Sequence, residues 1–135
     1  MIGGRVLAYS AIDDIAIGRT IYAAAFLAAA NDVGIPLAVP ACVLQEAWAA
    51  AAPSDYPFLE LLTGLPLVVV DPLDPSAAQR SGVLAADVHA SGAYDSGAAH
   101  TVLTAQDRGW PVLTADPRPL RAIDPGLPIE LLPEA

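Results

Sequence analysis

Short apolar runs alternate with alanine-rich stretches along the whole chain, and this alternation constrains the fold more than any other feature. The run Leu67-Val-Val-Val70 is continuous rather than interleaved with polar residues. Such a run is expected of a strand buried on both faces in a parallel sheet. Residues 5–9, 37–39, 111–114 and 128–132 read as further strands. Parallel neighbours need long crossovers, usually helices, and the intervening segments have helical boundaries. Residues 10–30 carry a helical pattern, weakened near Gly18 and stopped by Asn31-Asp-Val-Gly34. Ser10 and Asp13 stand in capping-box spacing at its start. Pro40 precedes a helix over 42–51, which Pro53 ends, and a shorter one is expected over 55–62 before Gly64. Asp74 and Pro75 pair an N-cap with proline at the first helical position, opening a helix to about residue 86. Residues 87–94 read as a loop, 95–108 as a helix closed by Gly109, and 117–122 as a helical turn. The order predicts an α/β fold: one three-layer α/β/α domain over 1–135, with helices on both faces of a mostly parallel sheet of about five strands.

Composition narrows the setting. The chain has 135 residues, 55% hydrophobic and 16% charged, a balance that excludes intrinsic disorder. The longest apolar stretch, 20–30, is bounded by Arg19 and by Asn31 and Asp32. It falls short of the roughly 20 residues a membrane span needs. The opening Met1-Ile-Gly-Gly-Arg5 lacks the basic region and apolar stretch of a signal peptide. The expectation is a cytoplasmic protein with no membrane contact. A lone cysteine, Cys42, fits that setting as a small hydrophobe. The 15 acids outnumber the 6 basic residues, all arginine, for a net charge of −9. That argues against a non-specific nucleic-acid binder but leaves room for a cation site.

Ligands of open parallel sheets gather beyond the carboxyl ends of the strands. Asp13 and Asp14 follow the first strand and Glu46 follows the second. Asp95 opens the helix leading into the strand that Asp116 follows. Four segments could thus bring carboxylates to one edge. Mg²⁺ and Mn²⁺ prefer such oxygen ligands, and a bound cation could activate water or stabilise charge on phosphate. Each acid also has a plain structural role open to it. Asp13 suits a capping box, Asp95 and Asp116 suit N-caps, and Glu46 could lie on an exposed helical stripe. Arg118 and Arg121 could touch phosphate or balance nearby acids. Trp48 and Trp110 read as packing residues. No His or Cys spacing supports zinc, the serines lack a His/Asp arrangement, and no glycine-rich phosphate loop follows a strand. The many alanine-rich helices point to an exposed helical face and a homodimer.

Three segments together resemble the PIN-domain nucleases, which include the VapC-type toxins of bacterial toxin–antitoxin pairs. They are Leu37-Ala-Val-Pro-Ala-Cys-Val-Leu-Gln-Glu46, Tyr94-Asp-Ser-Gly-Ala-Ala-His100 and Gly109-Trp-Pro-Val-Leu-Thr-Ala-Asp116-Pro117. The resemblance implies that Glu46, Asp95 and Asp116 are catalytic acids holding Mg²⁺ or Mn²⁺. It also implies RNA as substrate, Ser10, Thr114 and Arg118 on the substrate side, and an antitoxin protein as partner. The chain departs from the family at the first strand. Val6-Leu7-Ala8-Tyr9-Ser10 keeps the hydroxyl residue but has Ala8 where the family has its first acid. Asp95 also lies about one helical turn further from Gly109 than in many members. Asp13 and Asp14, on the first turn after the strand, are the nearest substitutes. Two activities are compatible with this pattern: a metal-dependent endoribonuclease, weakened or intact, or an inactive PIN-fold module that binds a protein partner or RNA.

Overall fold

In the computed structural model, which describes residues 3–18 and 21–133, each short strand sends successive side chains to opposite faces. Five strands result among the described residues: β1 (Arg5–Leu7), β2 (Leu37–Pro40), β3 (Val68–Asp71), β4 (Val112–Thr114) and β5 (Ile129–Leu131). They lie in the order β3-β2-β1-β4-β5, and every pairing is parallel. Among the described residues eight α-helices connect them: α1 (Tyr9–Ile17), α2 (Ile21–Val33), α3 (Ala41–Ala50), α4 (Tyr56–Gly64), α5 (Pro75–Leu84), α6 (Ala86–Ala90), α7 (Ser96–Arg108) and α8 (Arg118–Ile123).

The alternation builds two cores. Leu7, Leu37, Val39 and Leu113 face one way and pack against Ile12 of α1, Ala23 of α2, Val43 of α3, and Leu59 and Leu62 of α4. Val6, Ala38 and Val112 face the other way, against Ala98, Val102 and Ala105 of α7 and Leu120 of α8. Helices therefore cover both faces, as the three-layer expectation requires. Several large side chains stay outside both cores, among them Ile21, Tyr22 and Val33 of α2 and Phe58 and Leu61 of α4. Among the described residues no helix is long and apolar enough to cross a membrane.

Several local expectations hold. Asp74 caps α5 by accepting the Ala77 N–H at 2.8 Å, with Pro75 next to it. Gly109 closes α7 in the left-handed conformation, φ 67°. Others need correction. The helical pattern from Ser10 divides at Gly18, whose φ of 64° ends α1 and whose N–H donates to the Asp14 carbonyl. The capping box does not form: Ala8 is the N-cap of α1, with no side-chain cap. Ser10 lies inside the first turn, where its hydroxyl turns toward β4 instead. Residues 87–90, read as the start of a loop, belong to α6, which follows α5 directly. The run at β3 is not buried on both faces. It is an edge strand, with Val69 38% and Val70 37% exposed. A β-branched run looks the same in sequence whether its second neighbour is a strand or solvent.

Strand β1 enters the sheet beneath Trp110, which packs over Gly4. A Cβ on Gly4 would stand 2.5 Å from the Pro36 carbonyl oxygen and 2.6 Å from the Trp110 ring. The carbonyl belongs to the backbone leading into β2 and cannot swing aside. Gly4→Ala is expected to lower stability by about 1–3 kcal/mol, the usual range for overpacking, with the same fold by circular dichroism; thermal denaturation measures it.

Candidate active site

The strand order reverses next to β1. The chain runs outward from β1 to β2 and β3, then returns to place β4 on the other side of β1. Connections leaving β1 and β4 diverge there, and a crevice opens beyond the strand ends. A cleft of about 300 Å³ occupies this position, lined in part by Ala8, Ser10, Glu46, Asp95, Thr114 and Asp116. Residues far apart in sequence thus meet for a topological reason. Val43, Gly97, Ala98, Thr101 and Leu120 complete much of the wall.

Glu46 comes from α3 and Asp95 from the N-cap of α7. Asp95 Oδ1 accepts the Ala98 N–H at 3.1 Å, so the capping role expected of it is real and coexists with its place in the cleft. Gly97 sits between the two carboxylates. A Cβ there would lie 3.1 Å from Glu46 Oε2 and 3.3 Å from Asp95 Oδ1. The absent side chain leaves the gap into which both acids reach. Burial, and then the negative charge of Asp95, push the Glu46 carboxyl above its usual value. A second hollow, lined by Cys42, Gln45, Ala49 and Ser96, continues the depression past this acid pair.

Asp116 is held by a different device. The Ser10 and Thr114 hydroxyls share a hydrogen bond of 3.0 Å. Ser10 Oγ also accepts the Ala115 N–H at 2.9 Å, and Thr114 Oγ1 accepts the Asp116 N–H at 3.2 Å. Both hydroxyls therefore brace the turn that carries Asp116. Its carboxylate is gripped by Arg118, and these hydrogen bonds hold it below the usual carboxylate range.

The structure brings Glu46, Asp95, Asp116, Ser10 and Thr114 to one cleft. Asp13, Asp14 and Arg118 are not among its lining residues. Asp14 is buried, 5% exposed, on α1, so the nearest replacements for the acid missing at Ala8 do not line the cleft. Ala8 itself is 7% exposed and forms part of the wall. Among the described residues no three His, Cys, Asp or Glu side chains stand close enough to enclose a metal ion. Sequence reasoning missed Gly97 and His100. Glycine on the first turn of a helix, where it costs stability, was the available signal for the first. His100 is buried; its Nδ1 accepts the Cys42 N–H at 3.4 Å and the ring also bonds the Pro72 backbone. It pins the start of α3 to α7, the two helices that carry Glu46 and Asp95.

No model of a known protein family matches the sequence, and no curated protein matches it either. Solved structures do match. One is VapBC2 from Rickettsia felis bound to a DNA fragment from their promoter, with a TM-score of 0.68, 13% identity, and coverage of 98% of this chain and 99% of that one. The likeness spans the whole order of elements and gives this chain the VapC-like PIN fold expected above.

Two titrations follow from the geometry. Glu46 binds its proton more tightly folded than unfolded, so its ionisation costs stability above its raised value and costs nothing well below the usual 4.5. Glu46→Gln should therefore stabilise the protein near neutral pH, by less than about 1 kcal/mol for so exposed a pair, and lose that gain in acid. A side chain held only for structure would show a loss at neutral pH in the same melting series. His100 has the opposite sign: burial holds it below 6.5, so its contribution to stability is present above that pH and is lost as the pH falls toward the depressed value. The stability difference between wild type and His100→Gln should shrink across that window in pH-dependent denaturation.

Proposed function

We propose that this chain is the toxin-like member of a toxin–antitoxin pair, an endoribonuclease that uses a divalent cation in the cleft beside β1. The observation that carries this is the meeting of Glu46, Asp95 and Asp116, from three distant segments, where the strand order reverses. The fold it shares with VapBC2, solved on promoter DNA, supports an antitoxin protein as the companion. With a net charge of −9 and no lysine in this chain, contact with DNA would fall to that companion.

The donor set fits a recruited cation better than a caged one. No three metal-binding side chains converge among the described residues, yet Glu46 and Asp95 share one gap and Asp116 lines the same cleft. Mg²⁺ commonly takes one or two carboxylates and fills its remaining positions with water and substrate phosphate oxygens. Burial raises the Glu46 carboxyl first and the neighbouring Asp95 charge adds to it; a cation would relieve the second of these. Such an ion, Mg²⁺ or Mn²⁺, would supply Lewis-acid stabilisation of the phosphodiester and an activated water. The protein's part is positional. Gly97 keeps the acid pair close, His100 fixes the spacing of α3 and α7, and the Ser10–Thr114 bridge sets the turn that presents Asp116.

A second reading is favoured by two features: alanine stands at the family's first acid position, and Asp116 is engaged by arginine. On that reading the chain is an inactive PIN-fold module that binds a protein partner or RNA. Incubating the purified protein with mixed RNA and Mn²⁺ separates the two. Metal-dependent cleavage that falls roughly 100-fold or more in Glu46→Gln and in Asp116→Asn, a loss of the size seen when a charge-stabilising group is removed, supports the enzyme. Cleavage that appears only in Ala8→Asp, where a carboxylate returns to the wall of the cleft, assigns the module.

A further inference from the structure

Asp116 already has a counter-ion. Its Oδ1 accepts from the Arg118 backbone N–H at 3.1 Å and from Nε at 2.8 Å, and its Oδ2 accepts from Nη2 at 3.0 Å. The guanidinium fork thus takes both carboxylate oxygens. A cation that needs Asp116 and an Arg118 that holds it compete for the same atoms. The pair is nevertheless easy to part, because the Arg118 side chain is 86% exposed and that of Asp116 is 42% exposed. Ion pairs at that exposure contribute little to stability. The backbone hydrogen bond from Arg118 to Oδ1 does not depend on the side chain, so the carboxylate keeps its placement when the fork leaves. A guanidinium fork matches a phosphate as well as it matches a carboxylate. Arg121, three residues on in α8, carries the same charge and makes none of these bonds to Asp116, which makes it a control for charge alone.

We propose that Arg118 is a positioning residue that exchanges Asp116 for a phosphodiester of the bound RNA, so that docking of the substrate uncovers the third carboxylate. This rests on the cleft being the site assigned above. In the free protein the fork shields Asp116 and metal affinity is low. When a phosphate arrives, the fork turns to it and Asp116 becomes available to the cation. The two ligands then favour each other: phosphate raises the affinity for metal, and metal raises the affinity for phosphate by the same factor.

Calorimetric titration of the full chain with Mn²⁺, with and without a fully 2′-O-methylated RNA oligonucleotide, tests this. For wild type, the oligonucleotide should tighten Mn²⁺ binding. Without the oligonucleotide, Arg118→Gln should bind Mn²⁺ up to about fivefold more tightly than Arg121→Gln, the factor equivalent to a surface pair of about 1 kcal/mol. The same variant should bind the oligonucleotide more weakly and lose the coupling between the two. Equal Mn²⁺ affinities in Arg118→Gln and Arg121→Gln, or no tightening by the oligonucleotide in wild type, would overturn the exchange. Coupling without cleavage of any RNA would defeat the nuclease assignment while the exchange stands. Cleavage without coupling would do the reverse.

Discussion

The return of the chain across β1 is the constraint on which the rest of the structure depends. Three-residue strands cannot hold a sheet together alone. They do so here because β1, β2 and β4 send alternate residues into two apolar cores, and because β1 is paired on both sides. That same double pairing sends the segments after β1 and β4 apart and leaves a crevice between them. The cleft is therefore a by-product of the topology, present whichever side chains line it. What makes it chemically distinctive is the set of carboxylates delivered there by α3, by the cap of α7 and by the turn after β4.

Much of this was legible in the sequence because it is local or periodic. The strand–helix alternation, the Asp74–Pro75 start of α5 and the Gly109 stop of α7 are written in a few adjacent residues, and they led to the right architecture. The strand-end rule put Glu46, Asp95 and Asp116 at one edge of the sheet together with Asp13 and Asp14; singling out those three took the family resemblance, since nothing in their spacing separates them from the other acids. The misreadings have a common physical origin. Ser10 and Asp13 have capping-box spacing, but Ser10 finds a better partner in Thr114, more than a hundred residues away. The valines of β3 look buried because neighbour number cannot be read from a strand's own residues. Tertiary competition decided both cases.

The cleft also illustrates a tension between stability and chemistry. Two carboxylates that reach into one gap, beside a glycine on a helical first turn, are unfavourable arrangements for a folded chain. The surroundings hold them: the buried imidazole of His100 between α3 and α7, the Ser10–Thr114 bridge, and the cap that Asp95 makes for α7. Burial and the charge of Asp95 both make the ionised form of Glu46 less favourable there. The absence of an acid at Ala8 lowers the local charge and eases the fold, at the expense of a ligand for any cation.

The two rims of the sheet carry a last consequence. β3 offers four residues and β5 three, and each rim leaves backbone groups open to a stray strand from another molecule. Many proteins guard such borders with lysine, which this chain lacks entirely. Its protection is brevity: an intruding strand would gain only a few ladder bonds before running out of template. Mutual repulsion between copies at net charge −9 adds to it. Resistance to fibrillar accretion is here a matter of short borders and long-range charge rather than of guarding side chains.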